Sequence, residues 1–412
     1  MSFEKFKLHP ILLEAISTIG YEAPTLVQDQ TIPVVLDGKD VITSAQTGTG
    51  KTAAFAIPIL QGLITSQEAS KPNKKIKALI VSPTRELAIQ IAKNFKSYGK
   101  HSNIRSAMIY GGTEIEPQKE LLAKGIDILV ATPGRLLDLH KQDLLNLDYI
   151  RTLVLDEADL MLAMGFIDDV KKIERLCPED KQTLLFSATI PYRIEQLANQ
   201  ILNNPERIEI GQNDSVASSV HQLLFYVSKR HKISLCLHLL NNTVSGSILI
   251  FRRTKFGVDK LYERLKDEGF KVERIHGNRN QNERQKALAD FKRNRVNILI
   301  ATDVAARGID ISELDAVINF DMPNIPETYV HRIGRTGRAG RAGEAFSLCS
   351  ADEKNYVKSI EQFINDQIPV ENNHPFPLDP NAKPIIHKKK GSKHKKGRKS
   401  AASKKKKRRW YK

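Results

Sequence analysis

The sequence contains little cysteine, few aromatic residues and no long apolar run. Its 412 residues include three Cys, and 6% are aromatic. Cys177, Cys236 and Cys349 are widely spaced and form no C-x-x-C pair, so nothing indicates a disulfide framework or a zinc site. No apolar stretch approaches the roughly 18 residues that a membrane-spanning helix needs, and the N-terminus has no apolar signal segment. We therefore expect a cytoplasmic protein that makes no membrane contact.

Acidic residues are absent from one end of the chain. Lys and Arg number 64 against 47 Asp and Glu, which gives a net charge of +17. Positions 381–412 hold 16 of the basic residues and no acid, so the rest of the chain is nearly neutral. Such a composition cannot bury a core, and we predict a disordered basic tail at 370–412. A polyanion is its expected partner; a solubilising, nuclear-targeting or membrane-surface role is the alternative.

Short runs rich in Val, Ile and Leu alternate with helix-length amphipathic segments before the tail. This alternation is typical of parallel sheets with helices on both faces. Strands are predicted at 41–44, 78–82, 127–131, 152–155 and 183–186, and then at 223–227, 247–251, 271–275, 297–301, 316–320 and 345–349. The predicted fold class is α/β, with two parallel-sheet domains at 1–210 and 220–369 joined by a polar linker at 211–219.

A glycine-rich loop lies between the first predicted strand and the next helix. It reads Ala45-Gln46-Thr47-Gly48-Thr49-Gly50-Lys51-Thr52. Glycines let backbone N–H groups approach phosphate oxygens, and a helix N-terminus favours an anion. We expect Lys51 to neutralise the β- and γ-phosphates and the Thr52 hydroxyl to ligate Mg²⁺. The strict pattern begins with Gly rather than Ala45, and an ordinary glycine turn is the alternative.

Three acids follow another predicted strand, at Asp156, Glu157 and Asp159. The carboxyl ends of parallel strands share one edge of a sheet, so these acids are expected in the same crevice as the phosphate loop. Asp156 is expected to hold the metal shell, and Glu157 to orient and deprotonate the attacking water. Taken alone, the same acids also fit an acidic helix N-terminus.

The segment Asp156-Glu157-Ala158-Asp159 belongs to an ordered series of motifs. The other motifs, besides the phosphate loop, are at 20–28, 83–88, 111–112, 132–135, 187–189, 248–254, 276–284, 301–310 and 331–338. In this order and spacing they resemble the DEAD-box ATP-dependent RNA helicases over nearly all of residues 1–350, and most closely the bacterial RhlE type. The resemblance implies two tandem RecA-like domains, with ATP and Mg²⁺ as cofactors and RNA as the partner.

The resemblance also assigns residues to the nucleotide. Within a Q motif at 1–30, Gln28 is expected to read the adenine edge and Phe3 to pack nearby. In the second domain Gly308 and Asp310 are expected beside the nucleotide, with Asp310 at the ribose. The whole loop Ala45-Gln46-Thr47-Gly48-Thr49-Gly50-Lys51-Thr52 is expected to hold the phosphates.

Two arginines of the second domain, Arg335 and Arg338, match the family's arginine fingers. Such a finger stabilises charge on the transferring phosphoryl group when the domains close. A solvated arginine-rich helix is the alternative reading of this segment. Four residues are expected to couple hydrolysis to RNA: Asp159, Ser187, Thr189 and His331.

RNA is expected opposite the nucleotide, held through its backbone rather than its bases. The positions that match family contacts are Thr84, Arg85, Gly112, Thr132 and Arg135 in the first domain, and Arg252, Thr302 and Arg307 in the second. For any one of them, a helix-capping threonine or a surface arginine is the alternative.

The expected function is that of an RNA-dependent ATPase that unwinds short duplexes or remodels ribonucleoprotein, in ribosome assembly or RNA turnover. We expect a monomer, with RNA as the partner of the tail and with ribosomal or degradation-machinery proteins as further partners. A DNA-directed translocase and an RNA-annealing module that depends on the tail are the competing functions.

Overall fold

The computed structural model describes residues 2–46, 48–66, 75–210, 220–306, 311, 314–337 and 343–379. Within these ranges the chain forms two parallel sheets, each flanked by helices. Parallel neighbours require crossover connections, which the helices supply. The predicted α/β fold class with two parallel sheets is confirmed.

Seven strands form the first sheet. They are β1 (Val41–Ser44), β2 (Ala78–Val81), β3 (Ser106–Ile109), β4 (Ile128–Ala131), β5 (Thr152–Leu155), β6 (Gln182–Ser187) and β7 (Glu206–Glu209). The helices are α1 (Pro10–Thr18), α2 (Leu26–Leu36), α3 (Lys51–Thr65), α4 (Arg85–Tyr98), α5 (Glu116–Ala123), α6 (Pro133–Lys141), α7 (Ala158–Ala163), α8 (Ile167–Arg175) and α9 (Tyr192–Ile201), after a 3₁₀ turn at Phe3–Phe6. The strand order is β3-β4-β2-β5-β6-β1-β7.

Six strands form the second sheet. They are β8 (Val220–Tyr226), β9 (Ile248–Phe251), β10 (Val272–Ile275), β11 (Ile298–Ala301), β12 (Ala316–Asn319) and β13 (Gly343–Cys349). The helices are α10 (Lys232–Asn242), α11 (Lys255–Asp267), α12 (Gln281–Lys292), α13 (Asp303–Ala306), α14 (Pro326–Ile333) and α15 (Lys354–Ile364), with a 3₁₀ turn at Ala351–Glu353. The strand order is β10-β11-β9-β12-β13-β8.

The strand order brings three motifs to one edge of the first sheet. Strand β6 lies between β1 and β5, and all three run in the same direction. Ser44, which precedes the phosphate loop, pairs with Ser187 at the end of β6. Neighbouring strands are about 4.8 Å apart. The phosphate loop, the acidic segment and the 187–189 motif therefore meet at the carboxyl edge.

Helix α3 anchors the phosphate loop to the core of the first half. Its apolar residues are buried on nearly every side. The ring of Phe55 packs against Phe95 of α4 at 6.2 Å and against Phe186 of β6 at 5.2 Å between centroids. Each such buried side chain contributes about 1.5–3 kcal/mol of burial free energy. In the described part of the chain, no helix combines the length and apolar character needed to cross a membrane.

The segment 370–379 differs from the sequence prediction, which places it in the disordered tail. The Glu371 N–H donates to the Leu224 carbonyl of β8 at 2.9 Å, and the Leu378 N–H donates to the Tyr226 carbonyl at 3.0 Å. An edge strand offers unpaired backbone groups that such a segment can satisfy, and Phe376 packs against the core behind β8. The predicted linker 211–219 and the remaining tail, 380–412, lie outside the described residues.

Candidate active site

The phosphate loop has the backbone conformation that its glycines permit. Gly48 and Gly50 have φ of 90° and 96°, values that L side chains rarely adopt. A Cβ on Gly50 would overlap the side-chain amide of Gln28. Lys51 begins α3, and its buried ammonium donates to the Ala45 carbonyl at 2.8 Å. The loop is therefore a cradle of backbone groups at a helix N-terminus, with one cation beneath it.

The remaining loop residues complete this turn. The Thr49 hydroxyl donates to the Gln46 carbonyl at 2.8 Å, and Thr52 lies half-buried in the first turn of α3. Thr47 lies outside the described residues.

Gln28 and Phe3 brace the loop and the core beside it. The Gln28 amide donates to the Gly50 carbonyl at 3.3 Å, and its oxygen accepts from the Thr25 N–H at 3.0 Å. Phe3 is buried and stacks on Tyr21, with centroids 6.2 Å apart. These contacts place the two predicted adenine-site residues next to the loop and the apolar core, respectively.

The acidic segment faces the phosphate loop. The Glu157 carboxylate lies 3.3 Å from the Lys51 ammonium, and both side chains are buried. Glu157 has φ 54° and ψ 54°, a left-handed conformation that is strained for a glutamate. Local strain of this kind persists only where the surrounding structure imposes it. The fold therefore holds this carboxylate in place against the backbone preference of the residue.

The two neighbouring acids have opposite titration behaviour. Burial, together with the adjacent charge of Glu157, raises the pKa of the Asp156 carboxyl to about 7. Burial also acts to raise the pKa of Glu157, but the charges of Lys51, His331 and Arg335 outweigh it and hold that pKa below its usual value. Glu157 is therefore the ionised member of the pair at neutral pH.

Lys51 remains charged in this buried position. Burial alone would lower the pKa of its ammonium, but the charges of Glu157, Asp156 and Asp159 together hold that pKa above its usual value. A charged lysine inside the loop fits the oxyanions of a nucleotide.

The second half of the chain contributes cations to the same site. Arg335 follows α14 and is only 5% exposed, and its charge acts on the Glu157 carboxyl. His331 lies on α14, with its Nε2 4.0 Å from the Asp159 carboxylate. The two sheets therefore face each other across the acidic segment. The predicted partners Arg338, Gly308 and Asp310 lie outside the described residues.

Asp159 contacts the other three residues that the sequence predicts to couple hydrolysis to RNA: Ser187, Thr189 and His331. Its carboxylate accepts from the Thr189 N–H and hydroxyl, both at 3.2 Å. Its own N–H donates to the Ser187 hydroxyl at 3.1 Å, and that hydroxyl donates to the Thr189 carbonyl at 2.6 Å. With His331 on its other side, Asp159 contacts both halves of the molecule.

A metal ion would find few protein ligands at this site. Among the described residues, no three His, Cys, Asp or Glu side chains form a cluster that could hold one. The Asp156 carboxylate and the Thr52 hydroxyl are hard oxygen donors beside the loop. Mg²⁺ typically takes one or two protein oxygens and completes its shell with phosphates and water. The residues present therefore fit Mg²⁺ bound together with a nucleotide.

A cleft of about 580 Å³ crosses the junction of the two halves. It is lined by residues of both halves, including Thr84, Arg85, Gly111, Thr132, Gly134, Arg135, Gly277, Arg284 and Val304. The cleft brings together four of the five first-half residues predicted to contact RNA. The fifth, Gly112, has φ 74° and no room for a Cβ beside the Arg85 guanidinium.

Two arginines of the cleft retain unpaired donors. Arg135 Nη2 donates to the Thr113 carbonyl at 2.9 Å, but Arg135 Nη1 and Arg284 Nε have no hydrogen-bond acceptor. Buried donors without acceptors are rare in folded proteins. The guanidinium groups of Arg135 and Arg284, which line the cleft, therefore keep hydrogen-bonding capacity that the protein itself leaves unused.

The predicted RNA contacts of the second half lie elsewhere. Arg252 stacks over the Phe320 ring at 3.9 Å, and its Nε lies 3.1 Å from the Asp321 carboxylate. Thr302 is buried at the start of α13. Neither residue lines the cleft described above, and Arg307 lies outside the described residues.

Glu86 joins the halves, and the sequence gives it no assigned role. Its carboxylate accepts from the Gln281 amide at 3.0 Å and lies 3.0 Å from the Arg284 guanidinium. Both side chains of the ion pair are mostly buried. The signal available in the sequence is that Glu86, Gln281 and Arg284 lie in motifs of the series, although nothing in the sequence shows that these motifs touch.

Replacing Glu86 with glutamine should weaken closure of the two halves. The variant keeps a hydrogen-bond partner for Gln281 but leaves the buried Arg284 guanidinium without a carboxylate. An unpaired buried charge raises the free energy of the closed form, in which the two halves are in contact, and not that of the open form. We expect about tenfold more RNA to be needed for half-maximal stimulation of ATP hydrolysis, an effect of about 1.4 kcal/mol. An RNA titration of turnover measures this. Glu263→Gln on the exposed face of α11 is the control. Equal RNA requirements in both variants would contradict the role of the Glu86–Arg284 ion pair in closure.

Comparisons with known proteins agree with this arrangement. The DEAD/DEAH box helicase family matches residues 25–197, and the helicase conserved C-terminal domain matches residues 231–340. The DEAD-box ATP-dependent RNA helicase CshA of Bacillus subtilis is 43% identical over 362 residues, covering 88% of this chain and 72% of that protein. CshA of Streptococcus pneumoniae is 44% identical over 361 residues, covering 88% and 68%.

A solved structure shows the same architecture. Dbp5 of S. cerevisiae bound to RNA and ADP BeF3 is 33% identical, with a TM-score of 0.80, covering 90% of this chain and 95% of that chain. The more specific RhlE-type assignment remains a prediction, since these relatives carry the name CshA. From the two family matches and the curated relatives, we conclude that this chain belongs to the DEAD-box ATP-dependent RNA helicases.

Proposed function

We propose that ATP hydrolysis occurs between the two halves, 1–210 and 220–369, and that RNA closes them. The observation that supports this most strongly is the position of Glu157. It lies 3.3 Å from Lys51 of its own half, while His331 and Arg335 of the other half act on its charge. An ionised carboxylate in this position can orient a water and accept its proton.

The two halves contribute different parts of the reaction site. Lys51 and the loop from Ala45 to Thr52 hold the phosphates, while Gln28 and Phe3 fix the adenine end. Arg335, with Arg338, brings positive charge next to the transferring phosphoryl group and stabilises the negative charge on its oxygens in the transition state. Gly308 and Asp310 contribute from the second half, with Asp310 at the ribose.

We propose Mg²⁺ as the resident ion, held by Asp156 and Thr52. When bound, it would supply positive charge to the phosphate oxygens. Asp156 has a raised pKa because it is buried beside Glu157, and a cation would favour its ionised form. In this proposal Asp156 binds the ion, whereas Glu157 accepts the proton of the attacking water.

The RNA backbone occupies the cleft of about 580 Å³. The Thr84 and Thr132 hydroxyls and the Arg85 and Arg135 guanidinium groups suit phosphate and sugar oxygens, which carry no base sequence. Arg284 joins this set from the second half because it lines the cleft. The remaining predicted contacts, Gly112, Arg252, Thr302 and Arg307, stay part of the proposal.

Removing two hydroxyl groups should separate hydrolysis from unwinding. In the Ser187→Ala plus Thr189→Ala variant, Asp159 loses its hydrogen bonds to both side chains and keeps only the one from the backbone N–H of residue 189. Its carboxylate is therefore held less firmly beside His331. We expect displacement of a short RNA duplex to fall about tenfold or more, while ATP turnover stays within about threefold, since each lost hydrogen bond is worth about 1 kcal/mol.

The matched control is Thr65→Ala plus Ser66→Ala, which removes two hydroxyls that bond to carbonyls of their own helix. Both double variants are tested in strand-displacement and ATP-turnover assays on the same protein samples. Intact displacement in the first variant would reject the coupling role of Ser187 and Thr189. Parallel loss of both activities would also reject it.

The cellular step that we propose is ribosome assembly or RNA turnover. Backbone recognition suits structured RNAs of many sequences, and the 16 basic residues of the tail favour RNA as its ligand. We propose that the chain acts as a monomer and meets ribosomal or degradation-machinery proteins on the RNA. Crosslinking of the protein to RNA in cells, followed by sequencing, tests the assignment. Recovery without enrichment of ribosomal RNA or decay intermediates would contradict it.

A further inference from the structure

An exposed aromatic side chain stands on the second half near the cleft. Phe256 lies in the first turn of α11 and is 78% exposed, more than any other large apolar residue that the structure describes. Burying a phenyl ring on folding contributes roughly 1.5–3 kcal/mol, and Phe256 leaves most of its ring in water. A ring in this position gains little for the fold and remains available to a ligand.

The turn that carries Phe256 contacts the wall of the cleft. The preceding residue, Lys255, donates from its ammonium to Asn278 Oδ1 at 2.8 Å. A Cβ on Gly277 would lie 3.3 Å from Lys255 Cε, so the Lys255 side chain crosses directly over that glycine. Gly277 lines the cleft. Phe256 is therefore one residue away from a side chain that packs on the cleft wall.

The strand order extends this wall. The carboxyl ends of β10, β11 and β9 are consecutive neighbours in the second sheet, at about 4.8 Å spacing. Gly277 follows β10, Val304 follows β11, and Phe256 follows β9. Val304 is 54% exposed and lines the cleft. The exposed apolar side chains of Val304, in the cleft, and Phe256 therefore follow neighbouring strands at the same edge of the sheet.

The charges beside Phe256 favour a polyanion as its ligand. Lys255 is exposed, whereas Arg253, whose side chain is 46% exposed, is paired with the Glu353 carboxylate at 3.0 Å. Single-stranded nucleic acids bind where cations follow the backbone and aromatic rings stack on bases. A phenyl ring has no hydrogen-bonding group, so it accepts any base. An apolar protein partner would not need the exposed ammonium of Lys255.

We propose that Phe256 stacks on one base of the single strand where the strand leaves the cleft on the side of the second half. This inference rests on the proposed RNA cleft and adds one specific contact to it. The contact would hold an unpaired base out of a duplex, because the same face of a base cannot stack on its neighbour and on Phe256. Phe256 would thereby favour strand separation at this end of the cleft.

The test compares Phe256→Ala, Phe256→Tyr and the wild type in anisotropy titrations with a short single-stranded RNA and ADP-beryllium fluoride. The full chain is used, at a salt concentration that suppresses binding through the tail. A series of RNAs, each with a single abasic position, locates the stacked base. Phe363→Ala, which removes another exposed phenylalanine of the second half, is the control.

We expect Phe256→Ala to weaken binding about tenfold, and Phe256→Tyr and Phe363→Ala to remain within about twofold of the wild type, as stacking on one base predicts. One abasic position should weaken the wild type by a similar factor and leave the Phe256→Ala variant unaffected. Equal affinities of wild type and Phe256→Ala would overturn the inference, as would a loss that no abasic position reproduces. A wild type that binds no RNA would instead reject the proposed function.

Discussion

Arg335→Lys is expected to lower RNA-stimulated ATP turnover by about 10³-fold, because an arginine finger contributes 10³ to 10⁵ in rate. Lysine keeps the positive charge but loses the planar guanidinium, which offers several N–H groups to phosphoryl oxygens at once. Arg335 is 5% exposed, so it has little freedom to adjust when shortened. The effect should therefore appear in turnover much more than in ATP affinity.

The structural contact of the Arg335 backbone can be separated from the role of its side chain. The Arg335 carbonyl accepts from the Leu314 N–H at 3.1 Å, a contact that lysine preserves. The matched control is Arg264→Lys, at a side chain on α11 that is 52% exposed and paired with Glu268. Steady-state turnover at saturating RNA measures both variants. A rate for Arg335→Lys within about threefold of the control would contradict the finger role.

Glu157→Gln is expected to lower ATP turnover by about 10²- to 10⁴-fold, the range for loss of a positioned general base. The amide has nearly the same shape but cannot accept a proton from water. It also removes a negative charge that holds the pKa of Lys51 above its usual value. Lys51 faces one acid fewer in the variant, and nucleotide binding should be retained or strengthened.

Two measurements separate this outcome from simple loss of the site. Binding of a fluorescent ATP analogue should persist in Glu157→Gln, while hydrolysis in the presence of RNA is lost. Glu179→Gln, at an exposed acid before β6, provides the control. If Glu157→Gln hydrolysed ATP at a rate near that of the control, another residue would have to be the base. RNA annealing that continued at full rate in Glu157→Gln would favour the annealing module as the main function.

The sequence predicts the strands whose side chains are apolar on both faces, because such runs have no other stable environment. It does not predict β3 and β7. Strand β7 reads Glu-Arg-Ile-Glu and buries one residue of four, so it has no apolar run. It forms because the edge of β1 offers unpaired backbone groups, which is a tertiary condition. The pairing of 370–379 with β8 has the same cause.

Much of the ATP site is predictable because its motifs follow strands that share one edge. The phosphate loop, the acidic segment and Ser187 meet there once the strand order is fixed. The contact of Glu86 with Gln281 joins residues 195 positions apart, and no local pattern reports such a distance. The placement of Arg252 beside Asp321 depends in the same way on the pairing of β9 with β12 in the second sheet.

We propose that RNA holds Arg335 of one half beside Glu157 of the other and so starts hydrolysis. Steady-state ATP turnover of the full chain, measured without nucleic acid, with single-stranded RNA and with DNA of the same sequence, tests it most directly. We predict slow turnover alone and with DNA, and strong stimulation by RNA. Turnover that is indifferent to RNA, or that DNA stimulates equally, would contradict the account.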